Sequence, residues 1–145
     1  MEASAAIVIA APAETVWAAL VDPATLPRIM PVTEVLEPWS ASGRFRWRFA
    51  LGGSSREVSG AVLRLEPGRT IAYEYGDPLA RGVLHRVDMT LMDHVGGTRL
   101  GVTQDGNTNE AMRAHAEGGW RLALANLKAV VEGKAPSSGT PIRVP

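Results

Sequence analysis

No cysteine occurs in the 145 residues, which removes disulfides, thiolate nucleophiles and thiolate metal sites together. Lysine is nearly as scarce, with only Lys128 and Lys134. Basic and acidic residues balance at 15 each, so no global field draws the chain to nucleic acid or to anionic lipid. Long hydrophobic runs are missing as well. The apolar stretch from Ala3 to Ala13 is too short to span a bilayer and has no basic residue before it. These absences lead us to expect a cytoplasmic protein with no signal peptide, membrane span or nucleic-acid partner. His85, His94 and His115 are widely separated and lack the paired spacing of a zinc site. No glycine-rich phosphate loop joins a strand to a helix, and no nucleophile elbow is present. Neither a metal nor a cofactor is expected.

What remains is the composition of a globular chain, 46% hydrophobic and 21% charged, long enough to bury a core without covalent staples. Ala5 to Ala10 reads as a buried strand. Pro12 and Glu14 open a short helix carrying Val16, Trp17 and Leu20 on one side, and Asp22-Pro23 closes it. A second helical turn is expected between Ala24 and Ile29. Strands follow. Val32 to Leu36 is the next, and Arg44 to Phe49 alternates without exception: Phe45, Trp47 and Phe49 face one way, Arg44, Arg46 and Arg48 the other. Arg56 to Leu65 returns, Ile71, Tyr73 and Tyr75 share a face, and so do Val83, His85, Val87, Met89 and Leu91. After the Gly96-Gly97 turn, Thr98 to Gln104 comes back with Leu100 and Val102 inward.

The last element is a long helix. Asn107 and Glu110 resemble a capping box, and Met112, Ala116, Gly119, Trp120, Ala123, Leu127 and Val130 form an apolar stripe at helical spacing. Gly133 terminates it. Together these elements predict an α+β fold: a curved antiparallel sheet of six to seven strands around one long C-terminal helix, with one or two short helices after the first strand. Residues 1–133 would form a single domain and 134–145, rich in proline and small polar residues, a flexible tail. A sheet of that size twists and coils, and curled around a single helix it tends to leave a gap between the layers. A filled core is the alternative. The Gly118-Gly119 pair is expected to let the helix approach the sheet closely beside Trp120.

The order of these motifs resembles the START-like, or SRPBCC, helix-grip superfamily, in particular bacterial domains related to the activator of the Hsp90 ATPase and to polyketide cyclases. The resemblance rests on Pro12-Ala-Glu-Thr-Val-Trp17-Ala-Ala-Leu20-Val-Asp22-Pro23, on Gly60-Ala-Val-Leu-Arg-Leu65-Glu-Pro67, on Gly97-Thr-Arg-Leu100, and on Gly119-Trp120 with Leu124 to Lys128. It spans roughly residues 5 to 133 and implies a ligand-sized pocket without transferring an activity. Where many relatives carry a tryptophan after the first helix, this chain has Arg28-Ile29-Met30, which implies a differently shaped end of the pocket.

His85 is the one ionisable group on an otherwise apolar strand face, so burying it requires hydrogen-bond partners. It is the first candidate for a pocket group that orients a ligand or moves a proton, against a core histidine bonded within the protein. Tyr73 and Tyr75 could hold a ligand carbonyl, with Tyr73 as the candidate partner of His85 in catalysis. Phe45, Trp47 and Phe49 would form an aromatic wall, Gln104 a further polar contact, and Met112, Ala116 and Trp120 the helical side. His115 falls at the edge of that stripe and is expected to face solvent. The arginine ladder reads as a solvated outer face. The preferred function is binding of a small apolar or aromatic molecule by a monomer or homodimer. The alternative is a cofactor-independent cyclase, dehydratase or hydrolase using the same cavity. A chaperone-linked interaction module comes third.

Overall fold

A computed structural model describes residues 1–40 and 43–133 of the chain; the expected tail, and part of the break before Arg44, lie outside the described residues. Seven strands form one antiparallel sheet: β1 (Ala3–Ile9), β2 (Val32–Glu37), β3 (Arg44–Leu51), β4 (Ser54–Glu66), β5 (Thr70–Gly76), β6 (Leu84–His94) and β7 (Gly97–Gln104). Two short helices, α1 (Ala13–Val21) and α2 (Leu26–Ile29), follow β1, and α3 (Glu110–Val131) ends the fold. The α+β helix-grip reading is therefore the observed one. Strand order is β1-β7-β6-β5-β4-β3-β2, so every neighbouring pair from β2 to β7 is a hairpin, while α1 and α2 carry the chain from one sheet edge to the other.

Alternation explains which faces are buried. On β3, Phe45 and Trp47 are buried while Arg46 and Arg48 lie outside, held by Glu37 and Glu57 and by Glu34 respectively. On β6, His85, Val87, Met89 and Leu91 face inward, and on β7 so do Thr98, Leu100, Val102 and Gln104. The period breaks once on β4. The register slips between Val62 and Arg64, so Val62 and Leu65 both face the core and Leu63 is exposed. That bulge adds bend and twist to the long strand. Phe45, Trp47, Tyr73 and Trp39 pack as an aromatic cluster with centroids 4.6 to 5.9 Å apart, each favourable pair adding about 0.5–1.5 kcal/mol beyond its buried area. Gly60 lies beneath Phe45, where a Cβ would come within 2.5 Å of the ring.

Helix α3 is fastened at its C-terminal half. Ala123, Leu124 and Leu127 are buried, the Lys128 ammonium donates to the Val8 carbonyl at 2.8 Å, and the Glu132 carboxylate accepts from the Ala10 amide at 2.9 Å. Its N-terminal half lies over the mouth of the sheet. The cap there is Asn109, whose side chain accepts from the Met112 amide at 2.8 Å, and not Asn107. The glycine pair also does something other than the sequence implied. A Cβ on Gly118 or Gly119 would meet nothing within 4 Å, so neither is needed for close approach to the sheet.

Candidate ligand-binding site

A cavity of about 460 Å³ remains between the N-terminal half of α3 and the sheet. That is the size of pocket that takes a drug-sized molecule. Met30 and Pro31 close one end, where the sequence anticipated a departure from its relatives. Phe49, Val58 and Tyr75 supply the sheet side, and Met112, Ala116, Gly118, Gly119 and Trp120 the helix side. His85, Gln104 and Asn107 form a polar floor, and Asp77, Pro78 and Leu79 belong to the loop between β5 and β6. Among the expected site residues, Phe49, Tyr75, His85, Gln104, Met112, Ala116 and Trp120 are brought together here. Phe45, Trp47 and Tyr73 are not. They are fully packed in the aromatic cluster off the cavity. Tyr73 is accordingly out of reach of a ligand as a catalytic group. His115 lines the rim and is exposed.

The floor is a chain of hydrogen bonds whose directions can be assigned from chemistry. An indole N–H only donates, so the 2.7 Å bond from Trp120 Nε1 fixes Gln104 Oε1 as its acceptor. The Gln104 NH₂ group then points to Asn107 Oδ1 at 3.5 Å. It also lies 3.4 Å from His85 Nδ1, but that nitrogen has its shorter contact to the Asp105 carbonyl at 3.1 Å. That contact requires Nδ1–H as the donor, so Nδ1 does not accept from Gln104 as well. Asn107 in turn donates to the carbonyls of Met1 and Gln104 at 2.9 and 3.0 Å. Gly106 lets the 104–107 segment lie this close to β6. It adopts φ +87°, and a Cβ there would collide with the Leu84 carbonyl at 2.0 Å.

Both nitrogens of His85 are occupied. Nδ1 lies 3.1 Å from the Asp105 carbonyl and Nε2 lies 2.6 Å from Asp77 Oδ2. The other Asp77 oxygen accepts from the amides of Leu79 and Ala80 at 2.8 and 3.0 Å. One carboxylate thus joins the buried imidazole to the turn that carries Leu79 at the mouth. Partial burial would raise the Asp77 carboxyl, but the His85 hydrogen bond, the two amides and the attraction to the imidazole outweigh it and hold the group below its ordinary value. Tyr75 packs against His85 with its ring tilted by 44° and centroids 5.3 Å apart. Burial first, and the Asp77 charge second, push its phenol well above the usual range, so it stays a hydrogen-bond donor. Its hydroxyl meets no partner among the described residues.

Two polar members of this site, Asp77 and Asn107, are not among the site residues the sequence pointed to, and neither are the lining residues Val58, Pro78 and Leu79. The sequence reading took Asn107 only as a helix cap. The signal for Asp77 was available: a buried histidine needs a partner, and this carboxylate directly follows the strand that pairs with the one carrying His85.

A sheet wrapped on one helix over an apolar cavity with a polar floor defines the helix-grip class of domain. The family described as Activator of Hsp90 ATPase homolog 1-like protein matches residues 10–132, and the chain belongs to that family. Solved structures agree. A protein from Cytophaga hutchinsonii is 30% identical with a TM-score of 0.76, covering 92% of this chain and 94% of its own. One from Chromobacterium violaceum is 27% identical with a TM-score of 0.77, covering 90% and 96%. An AHSA1-like protein from Aeromonas hydrophila is 25% identical with a TM-score of 0.75, covering 92% and 93%. No protein of curated function matches the chain. Among the described residues, no helix is long and apolar enough to cross a membrane, and no cluster of three or more histidine, aspartate or glutamate side chains could hold a metal ion.

Proposed function

We propose that this protein is a binding protein for a small apolar or aromatic molecule, held in the cavity between α3 and the sheet. The observation that carries this reading is the state of the polar floor. Trp120, Gln104 and Asn107 are bonded to one another and His85 to Asp77 and the Asp105 carbonyl, so the cavity needs no bound partner to pay for burying them. Its walls are otherwise apolar, from Met30, Phe49, Val58, Met112 and Ala116, which favours a ligand that gains by leaving water. Native mass spectrometry of the purified protein, alone and after incubation with uncharged aromatic compounds, is the direct test. A bound compound of stoichiometry one per chain is expected; no adduct under any condition defeats the proposal.

The Asp77–His85 contact at 2.6 Å favours a second reading, an enzyme of the cyclase, dehydratase or hydrolase kind that moves a proton in the same cavity. For His85 to act as a base it must first release Asp77 or Asp105, since neither ring nitrogen is free. Turnover of a polyketide-like substrate that His85→Ala abolishes would establish this reading, and unchanged turnover would remove it.

A further inference from the structure

The binding reading above leaves the ligand's charge open, and the cavity's inventory closes it. We propose that the pocket selects uncharged ring-bearing molecules with one acceptor oxygen, taken by the Tyr75 hydroxyl, and rejects carboxylates of the same shape. This inference rests on the binding reading and adds to it a class of ligand.

Three observations lead there. First, among the described residues no arginine or lysine lines the cavity, although the chain holds 15 basic residues. Arg46 and Arg48, on the far face of the sheet, are engaged by Glu37, Glu57 and Glu34. Any positive charge on the His85 ring is already matched by Asp77. A buried anion would therefore find no counter-ion, a costly situation in a low-dielectric site. Second, the donors of the floor are mostly engaged within the protein. The Trp120 N–H goes to Gln104, the Gln104 amide faces Asn107, both Asn107 donations go to carbonyls, and the His85 Nδ1–H goes to the Asp105 carbonyl. The start of α3 offers an anion no help either, with Asn109 capping it and Glu110 in its first turn. Third, Tyr75 lines the cavity with a hydroxyl that nothing in the described protein accepts from or donates to. A phenol beside an ionised aspartate is a donor for a neutral acceptor such as a ketone or ether oxygen.

Three probes of one ring size separate the possibilities: 2-acetylnaphthalene, 2-naphthoate and 2-methylnaphthalene. Titration is followed by calorimetry, with intrinsic tryptophan fluorescence as a second readout, near pH 8, where exposed histidines are ordinarily neutral. The ketone should bind most tightly, and the naphthoate at least about tenfold more weakly. Tyr75→Phe should weaken the ketone by roughly three- to tenfold, the loss of one net hydrogen bond, and leave the hydrocarbon unmoved, which excludes simple loss of fold. Asp77→Asn, which keeps the shape and can still accept from Leu79 and Ala80, should recover part of the naphthoate affinity. Naphthoate binding as tightly as the ketone, or a ketone affinity indifferent to Tyr75→Phe, overturns the inference while leaving the binding reading standing. Binding of none of the three defeats the binding reading and this inference with it.

Discussion

Gln104 shows how much depends on one side chain. Its amide is oriented by the Trp120 indole and passes that orientation to Asn107, so a change at either end strands a buried polar atom. Trp120→Phe keeps the ring but removes the donor to Gln104 Oε1. We expect it to lower the unfolding free energy by about 1–3 kcal/mol, the cost of an unsatisfied buried acceptor, measured by urea denaturation. A loss below a few tenths of a kcal/mol would mean that the bond is not formed in solution. Asp77 adds a pH dependence whose sign follows from its depressed value. Its contribution is complete above the unfolded-state value of about 3.9 and is lost as pH falls through the lower native value. Asp77→Asn should therefore flatten the acid limb of a stability-against-pH curve, and a curve superimposable on that of the parent protein would contradict the assignment.

At the scale of the element, α3 carries two features that are cheap to test. Glycine inside a helix costs roughly 0.5–1 kcal/mol relative to alanine, and nothing at Gly118 or Gly119 blocks a methyl group. Gly118→Ala and Gly119→Ala should each raise the melting temperature, consistent with a stability gain of about 0.5–1 kcal/mol. A larger residue, Gly119→Leu, should occupy cavity space and weaken any ligand without unfolding the helix, and unchanged binding would show that the ligand sits elsewhere. The helix start offers a second comparison. Asn109→Ala removes the cap and should cost about 1 kcal/mol, read from thermal or urea unfolding; no loss would show that the cap is not made in solution.

For the whole molecule, the consequence of a cavity is linkage. A ligand that binds the folded chain alone stabilises it by mass action, by about 2.7 kcal/mol at a hundred times its dissociation constant. The melting temperature should therefore climb with the concentration of 2-acetylnaphthalene. A flat profile at concentrations that saturate by calorimetry would place the probe outside the folded interior. The hydrogen bonds that fasten α3 to the β1 edge, from Lys128 to Val8 and from Ala10 to Glu132, keep one end of that space closed while the other stays open to the loop carrying Leu79.

The order of elements, the inward sets on β3, β6 and β7, and the amphipathic terminal helix were legible in the sequence, because periodicity of two and of 3.6 is a local property. So was the isolation of His85 on an apolar face. Alternation also named the inward residues Phe45, Trp47 and Tyr73 correctly as buried, but it carries no information on where along a curved sheet the helix stands off. That distance is set by the Leu63 bulge, by the tie between α3 and β1, and by the packing of four aromatic rings. It decided that Phe49 and Tyr75 meet the cavity and the other three do not. Asp77 and Asn107 joined the site through tertiary contacts: Asp77 meets His85 of the next strand, and Asn107 is held in place by the Met1 carbonyl 106 residues away. The chain's own letters determined which groups would be hidden from water; only the folded arrangement decided which of those hidden groups border empty space, since a void is a relation between elements and belongs to no residue alone.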